Sequence, residues 1–339
     1  MATLPTASLL LLLSLSNILL ISSSNVASDQ LSFWSKNVRN IMPKLFLTKL
    51  SPLSVPDSDY YTSLLSQQTF TFYSNYCSKA SVACDDNVID TSLSSSTRSF
   101  KNGYLEDMII PSSSQDKVDP NFFFRLSHLE DGKIVRLPDL NDQFPSRAFL
   151  PTQMASKITL TTNEIQKLFP KSFSSLVMKE AIESSVLLCN APTNNLKAGE
   201  VQGCVKSLEE MIEFSKNSLG AKQLISLTSK STKGSGKEVI IGSKNKIDTK
   251  EIIYCHETFL PFVTYFCHMQ AGYGLYSVNL IQPGNNKNNV PINSVLAVCH
   301  MDTSAWPADH VALKLLKLSP GKGEVCHFYS QMDAAFIGA

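Results

Sequence analysis

The stretch Val295-Leu296-Ala297-Val298-Cys299-His300 decides how the rest of the chain is read. It is a short apolar run of the kind that forms a buried strand, and it closes on a Cys-His dipeptide. The same dipeptide recurs as Cys255-His256, Cys267-His268 and Cys326-His327. Ten residues separate the first two pairs, thirty the next two and twenty-five the last two. The chain holds 8 cysteines and 6 histidines, so four adjacent pairs between Cys255 and His327 are not an accident of composition.

Strand geometry divides the labour within each pair. Successive side chains on a strand point to opposite faces, so a Cys and the His after it cannot easily serve one site. With the cysteines turned inward as disulfides, the four histidines line the other face. Four neutral imidazoles suit Cu(II) or Zn(II), and copper wins on intrinsic affinity. His256, His268, His300 and His327 are therefore candidate metal ligands, with His310 a fifth in the same region. A mixed Cys/His zinc site would need short C-x₂₋₄-C or H-x₃₋₅-H spacings, which are absent. The bland alternative is that the disulfides are the point and the histidines hydrogen-bond within the fold.

Outward from that stretch, short β-rich runs alternate with turns: Val239-Ile240-Ile241, Ile252-Ile253-Tyr254, Tyr276 to Leu280, Val311 to Leu318 and Val325 to Tyr329. Gly234 to Gly236, Pro283 to Asn286 and Pro320 to Gly323 supply the turns, which predicts an antiparallel meander. Upstream the apolar spacing is helical. Thr161-x-x-Glu164 is a capping box before Ile165, Leu168 and Phe169. Met178, Ala181, Ile182 and Val186 form one stripe, and Val205, Leu208, Met211 and Ile212 a second, with Gly220 as its stop. The fold class is α+β: a disulfide-stapled helix pair followed by a β-rich antiparallel C-terminal domain, spanning 121–339.

Before residue 121 the texture is different. Residues 28–90 form an N-terminal region with helix-compatible spacing from Phe33 to Leu47, a short helix after Asp57 or Ser58, and an aromatic stretch from Thr69 to Tyr76 that reads as strand or extended chain. Residues 91–120 are serine-rich and read as a linker. Residues 1–27 carry no charge and hold the run Leu9 to Leu13, followed by Ser22-Ser23-Ser24-Asn25-Val26-Ala27. That is a secretory signal peptide, cut near Ala27 or after Ser24, with no membrane span left after cleavage.

Secretion places the cysteines in an oxidising compartment, where disulfides are the default. Cys77 with Cys84 and Cys189 with Cys204 are the local pairs; Cys255, Cys267, Cys299 and Cys326 then pair in any of three ways. The charge balance, 30 basic against 29 acidic residues, gives no case for nucleic acid. No Gly-rich phosphate loop or Gly-x-Ser-x-Gly is present. Asp302, Asp309 and Glu324 are isolated in sequence, and Asp302 reads as a turn residue or as one that orients a histidine.

The spacing of the four Cys-His pairs resembles the signature of the BURP domain of plant secreted proteins, as does Ala297 to Trp306 followed by His310 and Glu324-Val325-Cys326-His327. The middle gap is about three residues longer than usual, within Gly284 to Asn289, and Asn293-Ser294 stands where the family often has Asn-His. Phe33-Trp34-Ser35-Lys36, Lys49-Leu50-Ser51-Pro52-Leu53 and Leu137-Pro138-Asp139 resemble the branch of non-catalytic beta subunits of polygalacturonase. The long array of Phe-x-x-Tyr repeats of that branch is missing: the middle has only Phe100-Lys101-Asn102-Gly103-Tyr104, off by one, and a lone Phe70-Thr71-Phe72-Tyr73 lies upstream. The resemblance implies an apoplastic cell-wall protein whose partner is polygalacturonase or pectin. It also implies an alternative, since some BURP domains resemble copper-dependent cyclases that cross-link a Tyr or Trp in a peptide substrate. Exposed aromatic segments would be needed for self-modification, and the candidates are Phe70 to Tyr76 and Phe100 to Tyr104.

Overall fold

The computed structural model describes residues 25–70, 74–84, 122–142, 144–193, 196, 199–249, 251–270, 272–284, 290–304 and 306–339. Residues 1–24, which hold most of the expected signal peptide, the serine-rich stretch 91–120 with Phe100 to Tyr104, and the loop residues 285–289 lie outside these.

Local sequence starts and stops the helices. Asn25 caps α1 (Val26–Asn37), its side chain accepting from the Ser28 N–H. After Pro43 comes the single turn α2 (Lys44–Leu47). Helix α3 (Val55–Ser66) begins earlier than its acidic residues suggest: Ser54 is the N-cap, and Pro56 sits in the first turn, where its missing N–H costs nothing. Of the aromatic stretch Thr69 to Tyr76, the last three residues are helical, opening α4 (Ser74–Ala80), and residues 71–73 lie outside the described residues. Next come α5 (Thr152–Ala155), α6 (Thr162–Leu168), capped by Thr161 as the capping box requires, and α7 (Leu176–Cys189). In α8 (Leu208–Leu219), Ser207 caps the start and Gly220 ends it at φ 58°, a left-handed conformation that suits glycine.

Two sheets carry the rest. The first orders its strands β1-β10-β9-β8-β5-β2, and the second β3-β7-β6-β11-β4. In chain order these are β1 (Phe123–Phe124), β2 (Ile134–Arg136), β3 (Val201–Val205), β4 (Leu224–Leu227), β5 (Glu238–Lys246), β6 (Ile253–Phe259), β7 (Val263–Met269), β8 (Tyr273–Ile281), β9 (Asn293–His300), β10 (Val325–Phe328) and β11 (Asp333–Gly338). Neighbouring strands run antiparallel. The run Val311 to Leu318, expected as β, is instead α9 (Val311–Leu316).

Strand alternation then sorts the side chains into layers. Ile253, Cys255, Val263, Tyr265 and Cys267 leave the second sheet on its outer face and pack against Trp34, Phe46, Leu208 and Met211 from the helices. Val278, Val295, Ala297, Cys299 and Cys326 do the same on the outer face of the first sheet, under Leu129, Leu137 and Leu140. Between the sheets lie Tyr254 and Ala335 from one, and Leu275, Leu296 and Val298 from the other. A further cluster joins Tyr61, Phe70 and Tyr76 of the N-terminal region to α6, α7 and the β6–β7 turn at Phe259 to Phe262.

The eight cysteines form four disulfides: Cys77–Cys84, Cys189–Cys204, Cys255–Cys267 and Cys299–Cys326. Cys204 lies on β3, so the second bond ties the end of α7 to the strand that leads into α8. The last two join residues directly opposite each other on β6/β7 and on β9/β10.

A buried ionic knot fastens the N-terminal region to β6. The Glu257 carboxylate accepts from Lys49 Nζ at 2.5 Å and from the Arg147 guanidinium at 2.5 Å, and Lys49 also donates to Asp142 at 2.7 Å. Arg147 is sandwiched between the Phe144 and Phe259 rings, 4.7 and 4.8 Å from their centres. Burial pushes the Glu257 carboxyl up, against the pull of Lys49.

Candidate functional site: an imidazole cluster between two sheets

The two opposed disulfides set the geometry of the histidines. On β6/β7, Cys255 faces Cys267, so His256 and His268 sit diagonally across that pair and on the other face of the sheet. On β9/β10, Cys299 faces Cys326, and His300 and His327 repeat the arrangement. Each sheet therefore presents a diagonal imidazole pair to the space between the sheets. The His256 and His268 ring centres are 5.4 Å apart, those of His300 and His327 5.6 Å, and His256 and His327 meet across the gap at 6.2 Å. All four are buried, between 2% and 8% exposed.

Aromatic side chains complete the cluster. Tyr273 stands edge-on to His300 at 4.4 Å and also touches His268. Tyr254 lies against His268, and Tyr329 against both His256 and His327. Phe122 stacks on His327 at 5.8 Å. Burial raises the Tyr254 phenol above its usual range.

His310 stands one layer away. Its ring packs 4.2 Å from Trp306, which in turn packs 5.0 Å from His300. Its Nδ1 accepts the Ala312 N–H and so caps α9. An imidazole that accepts at Nδ1 carries its proton on Nε2, which removes that nitrogen as a ligand in the neutral form.

Two of the three acidic candidates, Asp302 and Glu324, resolve as framework residues. Asp302 is a turn residue: its Oδ1 accepts the Ser304 N–H at 2.9 Å. Glu324 forms a two-pronged pair with Arg125 and also accepts the Leu126 N–H, fastening β1 to β10. Asp309 belongs to neither arrangement. A residue that does orient a histidine is Asp333, on β11 opposite His256. Its Oδ1 accepts from His256 Nδ1 at 2.9 Å. Its Oδ2 accepts from both the N–H and the hydroxyl of Ser330, at 2.7 and 2.8 Å. Sequence spacing gives no route from His256 to a residue so far downstream. The available signal is an acidic residue opening the apolar run Ala334-Ala335-Phe336-Ile337, where only a paired carboxylate is tolerated.

Imidazole is the right donor class for copper or zinc. Two imidazoles bound to one ion, with nitrogens about 2 Å from it, place their ring centres roughly 4.5–6 Å apart. The spacing within each diagonal pair suits that. The convergence does not: among the described residues, no group of three or more His, Cys, Asp or Glu is arranged to hold a metal ion. The rings as placed would have to turn to share one.

With this geometry in hand, the comparisons with known proteins are direct. The BURP domain family matches residues 122–338, and the chain belongs to that family. It is 36% identical over 222 residues to the Polygalacturonase-1 non-catalytic subunit beta of Solanum lycopersicum, a match covering 64% of this chain and 34% of the relative. It is equally similar, 36% over 222 residues with the same coverage, to Polygalacturonase 1 beta-like protein 1 of Arabidopsis thaliana. With BURP domain-containing protein 16 of Oryza sativa subsp. japonica it shares 29% identity over 306 residues, covering 87% of this chain and 85% of the relative. The chain thus spans about a third of the polygalacturonase-subunit relatives and most of the rice relative.

Proposed function

We propose that this chain is a non-enzymatic extracellular wall protein that associates with polygalacturonase or with its pectin substrate. One observation carries this reading: over 222 residues this chain is 36% identical to a relative named as a non-catalytic polygalacturonase subunit. Four disulfides, two of them deep in the cores of the sheets, suit an oxidising compartment and support secretion to the apoplast. Among the described residues no helix is long and apolar enough to cross a membrane. The test is to mix the purified chain with polygalacturonase and with demethylated pectin, and to follow both by size-exclusion and co-sedimentation. Co-elution with the enzyme or retention on the polymer is expected. Elution as a free protein in both mixtures overturns the reading.

A second reading, copper-dependent cross-linking of a Tyr or Trp in a peptide, is favoured by one feature: four buried imidazoles walled by Tyr254, Tyr273, Tyr329 and Trp306. Copper would supply one-electron chemistry; His256, His268, His300 and His327 would hold it. Self-modification at Phe70 or Tyr76 is disfavoured. Phe70 and Tyr76 are core residues, 6% and 1% exposed, packed edge-to-face on each other. The substrate in this reading is a separate peptide. Incubation with Cu(II), oxygen as oxidant and Tyr- or Trp-containing peptides should remove two hydrogens from the peptide. An unchanged peptide mass removes this reading and leaves the first.

A further inference from the structure

We infer that Asp333 is the positioning residue of the imidazole cluster: it locks His256 with its proton on Nδ1, so that Nε2 carries the lone pair. A carboxylate can only accept hydrogen bonds, so the 2.9 Å contact between Asp333 Oδ1 and His256 Nδ1 requires the imidazole to donate. The carboxylate is itself held rigidly. Ser330 donates to Oδ2 through both its N–H and its hydroxyl, and the same hydroxyl accepts the Met332 N–H, closing a tight loop ahead of β11. Asp333 is fully buried and registers directly opposite His256 in the ladder, so water does not compete for its carboxylate.

The consequence reaches the neighbouring rings. In water a neutral imidazole exchanges between two tautomers; here one is selected before any ligand arrives. His327 makes a longer contact of the same sense, its Nδ1 lying 3.4 Å from the Phe328 carbonyl, which again only accepts. His256, which meets His327 across the gap between the sheets, is thus protonated at Nδ1 and carries its lone pair on Nε2. A carboxylate behind a histidine is the arrangement that fixes tautomer and ring orientation in histidine ligands generally, and its loss costs about 10–100-fold in metal affinity. The inference deepens the copper reading, and only its metal-binding arm rests on that reading.

The decisive experiment needs no metal. Long-range ¹H–¹⁵N spectra of the full chain report which nitrogen of each imidazole is protonated, and His256→Gln identifies the His256 signals by their loss. Wild type should show His256 protonated at Nδ1. In Asp333→Asn the amide can donate to Nδ1 without changing shape, which should move the proton to Nε2. A wild-type His256 protonated at Nε2, or an Asn variant with the wild-type tautomer, overturns the assignment. If Asp333→Asn does not fold, the wild-type spectrum decides alone. A Cu(II) titration then separates the two claims. Copper affinity reduced about 10–100-fold in Asp333→Asn supports the positioning role toward a metal, and equal affinity in both proteins overturns it. No uptake by wild type removes the copper reading, with the tautomer result deciding the role of Asp333.

Discussion

Glu324 shows how an acidic residue that sequence leaves ambiguous becomes a structural one. Its two-pronged contact with Arg125, helped by the Leu126 N–H, holds its carboxyl at about 2, far below the ordinary 4.5. Because the folded value is the lower one, the contact stabilises the fold at any pH above the unfolded value. That contribution drains away as pH falls from 4.5 towards 2. Arg125 is about a third exposed, so screening reduces the benefit below what the shift alone suggests. The expected outcome is that Glu324→Gln melts lower than wild type at neutral pH, and that the two melting curves converge across the acid window. Curves that stay parallel down to the lower limit would show that the pair does not stabilise the fold. Asp333 makes the complementary point. Its partner is fixed by strand register, which a spacing rule cannot supply, so no local pattern around His256 points to it.

At the level of the element, caps decide more than propensities do. Helix α1 depends on its first residues: Asn25 accepts from Ser28 and pairs with Ser54, while the Val26 N–H donates to the Leu53 carbonyl and its side chain is buried. Cleavage after Ala27 would remove the cap and this anchor together. Cleavage after Ser24 keeps both and places Ser22 and Ser24 at the two small-residue positions that a signal peptidase reads. On the secretion proposed above, amino-terminal sequencing of the mature protein should therefore begin at Asn25; a start at Ser28 would contradict it. Caps also explain what was legible. The capping box at Thr161 and the stop at Gly220 were readable because Thr, Glu and Gly carry known terminal chemistry. Strand β9 was readable because an apolar run flanked by turns has few alternatives. Helix α9 was not: six apolar-rich residues do not separate a buried strand from a short helix, and its cap is a histidine, outside the usual Ser, Thr, Asp and Asn set. The two faces of each Cys-His pair followed from strand parity alone, while the pairing of the four sheet cysteines needed the register of four strands.

Over the whole molecule, the N-terminal helices are part of the same cores as the sheets, although the family match starts only at residue 122. Trp34 and Phe46 fill the outer face of the second sheet beside Phe336 and Tyr265. Leu53, Tyr61, Phe70 and Tyr76 share a cluster with Phe259, Leu260 and Phe262. Burying six such side chains is worth about 2 kcal/mol each, or roughly 12 kcal/mol together. That is comparable to the ~5–15 kcal/mol net stability of a whole domain. Lys49 adds an ionic requirement, since without it the fully buried Glu257 keeps, among the described residues, only Arg147 as its cationic partner. Leaving a buried carboxylate undercompensated is costly in itself. A chain comprising 122–339 alone is therefore expected to lack a cooperative thermal transition and to expose the outer face of the second sheet to hydrophobic dyes. Supplying 25–84 as a separate polypeptide should restore the transition, because no disulfide among the described residues links the two pieces: Cys77–Cys84 closes within the first and the other three within the second. A 122–339 chain that melts cooperatively within a few degrees of the full protein would show instead that the N-terminal helices are an ornament on a self-sufficient double sheet.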